Sequence, residues 1–362
     1  IRKKKEKNQT FRAVSRLAII FQVYFSIFGV LVTCFHLIIL SRKSTLTTSV
    51  IAIMIGIGFC DLLAIITMAT SSLMSQFNSS AWKKTLFQWI FQWVSINIRN
   101  MVRRSSTWLG VVMALTRYIH LKFWSKPIAR HFSDIRFGFK ISFACIATSS
   151  LFSIIYYFRY DIVEDKEWQP PEECGYTKNL NSPEIIYVQK ASALFSENNG
   201  MFGEVYMLVN GTLTKIVPCI LLILLTSLLV WELRKLSKAK TGSIFAKRKV
   251  NNKTTGLVIY IAISGFFIEL PVGICIAFVF HLKQNHGLRE IATYVSRICN
   301  SAYILNAIAH CLICFAMSSQ YRKTVLAILP VRKMTGKCEF CNFQKNKTNA
   351  TTSTTIASRA GN

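Results

Sequence analysis

Recognisable catalytic constellations are missing from this chain. It has no glycine-rich phosphate loop, no His-Glu-x-x-His and no Ser, His and Asp set whose spacing supports nucleophilic chemistry. Enzyme classes built on those motifs are therefore excluded, and no cofactor is expected. A disulfide framework is missing too: of eleven cysteines, eight (Cys34, Cys60, Cys145, Cys219, Cys275, Cys299, Cys311 and Cys314) fall within apolar runs, where a thiol acts as a small buried hydrophobe. Cys338 and Cys341 form a lone Cys-x-x-Cys without the second pair that a zinc site needs. Their basic, membrane-adjacent setting suits either palmitoylation or unmodified thiols. The chain opens on Ile1, and the charged stretch Arg2 to Lys7 lacks the apolar core of a signal peptide, so a preceding segment is expected. Acid is the scarce charge, with 16 Asp and Glu against 44 Lys and Arg and a formal net charge of +28. Such basicity is usual in nucleic-acid binding, but here the cations sit between apolar spans rather than on one helix or stripe, so nucleic acid is excluded as a partner.

What is present is apolar length. Runs of 18 or more apolar residues match about 30 Å of hydrocarbon. Spans are predicted near 17–40, 47–71, 89–120, 138–158, 209–234, 255–281 and 291–317. The third is the least apolar, and it counts as a span because SINIRNMVRRSSTW continues into WLGVVMALTRYIHL and the crossings must be odd in number. After the seventh, Tyr321, Val325 and Leu329 share one face of a short amphipathic stretch, Ser319 to Leu329, expected to lie along the membrane surface. The expected fold class is therefore all-α, a seven-transmembrane-helix bundle in the lipid bilayer with a short C-terminal amphipathic helix. The expected organisation is an N-terminal segment 1–16, a membrane domain 17–330, and a polar, low-complexity, disordered tail 331–362.

Loop charge gives the orientation, because Lys and Arg of short loops stay on the cytoplasmic side. The 234–253 loop carries Arg234, Lys235, Lys238, Lys240, Lys247, Arg248, Lys249 and Lys253 with no acid, and the tail is also basic. The 159–208 loop is rich in Asp and Glu and is expected outside, with the protein multi-pass in the plasma membrane and its tail cytoplasmic. The basic start Arg2 to Lys7 opposes this arrangement, and six later segments outweigh it. The sequons at Asn8 and Asn78 fall on the outer side and are candidate glycosylation sites, as is Asn210 unless it sits too close to its helix. Asn252, Asn346 and Asn349 lie in equally good triplets on the other side, so sequons alone do not decide the orientation.

Polar residues inside spans are costly and usually functional. Asp61 stands in IGFCDLLAI, Thr116-Arg117-Tyr118 at the inner end of the third span, Pro218 in the fifth span and Pro271 in the sixth. These resemble, respectively, the second-span aspartate, the Asp-Arg-Tyr triplet and the helix-kinking prolines of rhodopsin-like G-protein-coupled receptors, and Arg322 and Lys323 match the start of their short cytoplasmic helix. More finely, RRSSTWLGVVMALTRY, NGTLTKIVPCILL, FFIELPVGI and AHCLICFAMSSQYRKT resemble the nematode serpentine receptor class W, a chemoreceptor-type family akin to FMRFamide-type peptide receptors. The resemblance runs from about Phe35 to Thr324. It implies that Asp61 joins a polar network and that Arg117 reaches a heterotrimeric G protein.

Departures from the family pattern are equally specific. Thr33 takes the place of the first-span asparagine and weakens one partner of Asp61. Thr116 replaces the triplet's acid and cannot restrain Arg117. Aligned without gaps from Asn306 to Tyr321, His310, Cys311 and Cys314 stand where such receptors have the Asn, Pro and Tyr of their seventh-span motif. Cys174 lies in the loop that the family ties to the third span, yet no cysteine occurs between Cys60 and Cys145 to receive it.

Arg99, Arg103 and Arg104 are the most informative residues, since each arginine in a span costs about 2.5–3.5 kcal/mol. Arg99 and Arg103 are four apart and share the inward face, with Arg104 about 100° away. Glu269, two residues before Pro271, replaces the toggle tryptophan implied by the resemblance. The expected pair is Arg103 with Glu269, Arg104 being the alternative partner, and Arg99 lies at the level where the family contacts ligand. Two other readings stay open: arginines at the water interface because the span starts later, and a purely structural pair. His310 reads as a hydrogen-bonded interior histidine more readily than as a pH sensor. Trp108 and the run Tyr156, Tyr157, Phe158 and Tyr160 read as packing and interface anchors. The expected function is a receptor for an extracellular peptide or small-molecule ligand. A small water-soluble odorant is the alternative ligand, and a transporter, which would show internal repeats, the alternative class.

Overall fold

The computed structural model describes residues 2–77, 85–168, 184–239, 252–278, 286–317 and 319–328. The helices are α1 (Arg2–Leu40), α2 (Ser49–Phe77), α3 (Leu86–Lys122), the short α4 (Pro127–Ser133), α5 (Ile135–Tyr157), α6 (Ala193–Ser196), α7 (Met201–Gly211), α8 (Val217–Ala239), α9 (Asn252–Ala277), α10 (His286–Met317) and α11 (Ser319–Ile328). One π-turn, Thr212–Ile216, joins α7 to α8, so the fifth span is a continuous rod that starts ahead of the expected 209. Likewise α1 begins at Arg2 rather than 17, although only its Ile20–Leu40 part is apolar enough to cross a membrane. Asn78, Cys174, Cys338, Cys341, Leu329 and the tail lie outside the described residues.

Among the described residues, six helices are long and apolar enough to span a bilayer, and α3 joins them in the bundle without meeting that measure. Its position explains the difference. α3 packs against α2, α5, α8 and α9, so its arginines face protein rather than lipid. The surrounding helices instead turn Leu31, Phe59, Phe143, Leu151, Phe267, Ile298 and Leu312 outward, an apolar girdle that water would not tolerate and lipid would. α3 starts on a capping box: the Thr85 hydroxyl accepts from Gln88 N, and Thr85 N donates back to Gln88 Oε1. α5 starts on Asp134, whose carboxylate accepts from Arg136 N.

The main core gathers Ile53, Met68, Val102, Leu109, Met113 and Ile304 between α2, α3 and α10. A second cluster of Ile39, Leu40, Cys314, Tyr321 and Val325 holds α11 against α1 and α10, which accounts for the spacing-four face. At the other end, β1 (Tyr160–Trp168) pairs antiparallel with β2 (Glu184–Ala191), Tyr160 opposite Ala191, with an irregularity between Glu164 and Lys166. This hairpin is not apparent in the sequence, because charges interrupt the period-two alternation of YDIVEDKEW. Trp93 of α3 packs on Tyr156 and Tyr160 beneath it, while Tyr157 and Phe158 are largely exposed. The hairpin therefore marks one end of the bundle and α11 the other.

Two glycines bring α9 close to the fifth span. A Cβ on Gly211 would meet Ala277 N at 2.5 Å, and one on Gly273 would meet Lys215 Cβ at 2.6 Å. Only hydrogen fits at either position, and the contact carries Lys215 of the π-turn to the level of Glu269.

Candidate functional site

Arg103 and Glu269 form the pair expected from their positions. The guanidinium Nη2 and Nε both donate to Glu269 Oε1, at 2.7 and 3.1 Å, and each residue is only 4% exposed. Nη1 donates to Asn300 Oδ1 of α10 at 2.6 Å, and the guanidinium carbon stands 4.7 Å from the centre of the Tyr303 ring. The other carboxylate oxygen, Oε2, accepts from Lys215 Nζ. The centre is thus a triad of two cations and one acid. Stripping water from such charges is expensive, and full pairing of the carboxylate is what makes the cluster tolerable.

Arg104 is not the partner of Glu269. It turns toward α5 and α7, donating to Ser149 O at 2.8 Å and Asn210 Oδ1 at 3.0 Å, with its guanidinium 5.2 Å from the Phe152 ring centre. Asn210 is buried in that contact, which removes it as a glycosylation site. Burial of Arg103 and Arg104 also argues against a water-interface position for this part of α3. Arg99 lies one turn nearer the hairpin on the Arg103 face, half-buried, with Arg103 and Tyr156 as its electrostatic neighbours. It makes no hydrogen bond or ion pair among the described residues.

Below the triad, Tyr303 connects to a second polar centre. Its hydroxyl donates to Asp61 Oδ1 at 2.6 Å, Ser106 Oγ donates to the same oxygen at 2.9 Å, and His310 Nδ1 stands 3.3 Å from Oδ2. Asn306 Nδ2 lies 3.5 Å from His310 Nε2. An Nδ1–H tautomer satisfies both contacts, donating to Asp61 and accepting from Asn306. Thr33 Oγ1 has no partner among the described residues. It lines, with His36, Asp61, His310 and Cys314, a cavity of about 20 Å³, enough for a water molecule. His36 Nδ1 then meets Tyr321 OH at 2.9 Å, and Cys311 Sγ lies 3.5 Å from that hydroxyl. Polar contacts therefore descend from the triad through Tyr303 and Asp61 to His310, and the small cavity separates these from the His36–Tyr321 contact at α11.

At the α11 end of α3, the Thr116 hydroxyl donates to Met113 O at 2.9 Å and offers Arg117 nothing. Arg117 has no partner among the described residues, and Tyr118 accepts from Lys122. Pro218 follows the π-turn and Pro271 lies within α9. Three participants escape a reading of the sequence. Lys215 carries the same signal as the arginines, a charge within an apolar span, three residues before Pro218. Asn300 and Tyr303 carry none, being ordinary polar residues of α10.

The family model described as Serpentine type 7TM GPCR chemoreceptor Srw matches residues 20–332. No curated protein matches the chain.

Proposed function

The chain belongs to the serpentine 7TM GPCR chemoreceptor Srw family, and from that premise we propose that it is a ligand-operated receptor that signals to heterotrimeric G proteins. The hairpin end is taken as the extracellular one, since the acid-rich 159–208 segment contributes the hairpin strands, whereas the basic 234–253 loop connects the opposite ends of α8 and α9. Ligand enters past the hairpin and reaches Arg99. The Arg103–Glu269–Lys215 triad stands in place of an aromatic toggle, and Arg117 acts at the cytoplasmic mouth on the G protein. The observation that carries this reading is the succession of polar contacts from the triad through Tyr303 and Asp61 to His310. A ligand that binds two arrangements of those contacts unequally shifts their populations by that difference in affinity.

The ligand is a neuropeptide or other water-soluble chemosensory molecule. An acidic entrance attracts cations while an arginine waits deeper, a combination that suits a peptide better than an apolar odorant. Screening a peptide and odorant library on receptor-expressing cells, with a second-messenger readout, tests the proposal. An active compound whose effect disappears in Arg117→Ala supports it. Substrate flux in proteoliposomes without nucleotide exchange on any G protein would make the protein a transporter instead.

A further inference from the structure

We propose that the ligand presents a free carboxylate, gripped by Arg99 with help from the amide of Asn300; this rests on the receptor reading and assigns its ligand chemistry. The first support is charge balance. Among the described residues, the buried and half-buried cations of the hairpin-end half, Arg99, Arg103, Arg104, Arg159 and Lys215, share one buried acid, Glu269, and Arg159 is held by Tyr156 and Tyr160. Both oxygens of that acid are taken, Oε1 by Arg103 and Oε2 by Lys215. Arg104 is held on another face by neutral acceptors, Ser149 O and Asn210 Oδ1, with its buried Nε unpartnered among the described residues. Arg99 is left as a half-buried cation without an acid among the described residues, on the face where Arg103 meets α9 and α10.

The second support is the orientation of Asn300. A guanidinium can only donate, so the atom 2.6 Å from Arg103 Nη1 must be the amide oxygen. The Asn300 NH2 group therefore points elsewhere, and neither of its hydrogens finds a partner among the described residues. Arg99 and the Asn300 NH2 group are thus two unused donors among the described residues, one charged and one neutral, and both are neighbours of Arg103. A carboxylate has the lone pairs to take an arginine fork and an amide N–H together, and charge-assisted bonds of this kind are the strong ones. A cationic terminus at the same place would meet like charge, and a neutral amide would bring only one acceptor oxygen and N–H donors that face donors. The site therefore selects a free acid over its amide.

The test uses the full chain in lipid nanodiscs and needs no G protein. Thermal unfolding is followed with acetate, succinate, glutamate and a short apolar peptide bearing a free C-terminus, each against its amide at constant ionic strength. At least one acid raises Tm while its amide does not, and Arg99→Gln weakens that acid's binding by about tenfold or more. The empty Arg99→Gln receptor is at least as stable as the parent, because an unpaired charge has been removed. Asn300→Asp supplies a carboxylate in place, so it stabilises the empty receptor and abolishes the response to added acid. The proposal is overturned if no acid outperforms its amide, or if the response survives Arg99→Gln. It is equally overturned if Arg99→Gln lowers the Tm of the empty receptor and Glu172→Gln or Glu173→Gln does the same, which would mean that a loop acid already holds Arg99. An acid that binds without promoting nucleotide exchange on any G protein counts against the receptor reading and leaves this one standing.

Discussion

The Tyr303 hydroxyl sits 2.6 Å from Asp61 Oδ1, and that bond joins the two charged centres of the bundle. The same ring lies 4.7 Å below the Arg103 guanidinium, so one aromatic residue touches the cation of the upper cluster and the acid of the lower. Tyr303→Phe keeps the ring and removes the bond. A hydrogen bond to a charged group contributes about 1.5–3 kcal/mol, so the variant is expected to lose stability in that range and to respond weakly to agonist. Thermal unfolding and a dose-response curve check both; an unchanged response would separate the two centres.

The three-membered triad predicts an order of defects. Glu269→Gln leaves two buried cations facing each other and is the most damaging single change, at about 3–5 kcal/mol or more. Arg103→Met and Lys215→Met each leave a one-to-one pair and are milder. Replacing Arg103 and Glu269 together strands Lys215, so full recovery of surface yield requires the third substitution. A mutant cycle over the three positions measures this, and additive defects would show that the charges act independently.

Arg117→Ala is expected to abolish nucleotide exchange on a G protein while surface expression stays at the parental level. No described partner of Arg117 loses a bond by the change, so folding has no reason to suffer. Normal exchange would remove the role of the Thr116-Arg117-Tyr118 segment.

Gly211→Val tests the close approach of the fifth span to α9. Any Cβ there would come within 2.5 Å of the Ala277 backbone, so the helices must separate, at a cost of about 1–3 kcal/mol. Surface yield falls, and because Lys215 sits next in the π-turn, Glu269→Gln becomes less damaging in that background. A fully stable Gly211→Val receptor would show that the gap can open freely.

Epitope tags in the 234–253 loop and the 159–208 segment decide the orientation. The first is expected to stain only after permeabilisation and the second on intact cells. The reverse pattern inverts the assignment of ligand and G-protein ends.

Much of this architecture is legible in the residues because hydrocarbon imposes length and polarity so strictly. Six spans announce themselves by apolar runs, and the third is recognisable only through WLGVVMALTRYIHL, since its arginines are sheltered by neighbours that a one-dimensional reading does not contain. The Arg103–Glu269 pair is legible because both charges are conspicuous in apolar surroundings. Lys215 has the same signal, but pairing it with Glu269 needs the Gly273 contact and the extra residue of the π-turn, which periodicity does not reveal. Asn300, Tyr303 and the hairpin depend on three-dimensional neighbours and leave no comparable trace.

The clasp between His36 and Tyr321 also bears on biogenesis. Its partners are 285 positions apart, so a ribosome adding roughly 5–20 residues per second emits the second about 15 s to a minute after the first. During that interval the imidazole of α1 crosses the translocon with its eventual hydrogen-bond partner unmade. A chain stalled or truncated before Tyr321 retains that orphan, together with an uncovered Ile39 and Leu40. Synthesis through α11 is thereby registered on α1, where quality control can distinguish a chain that has passed Tyr321 from one that has not.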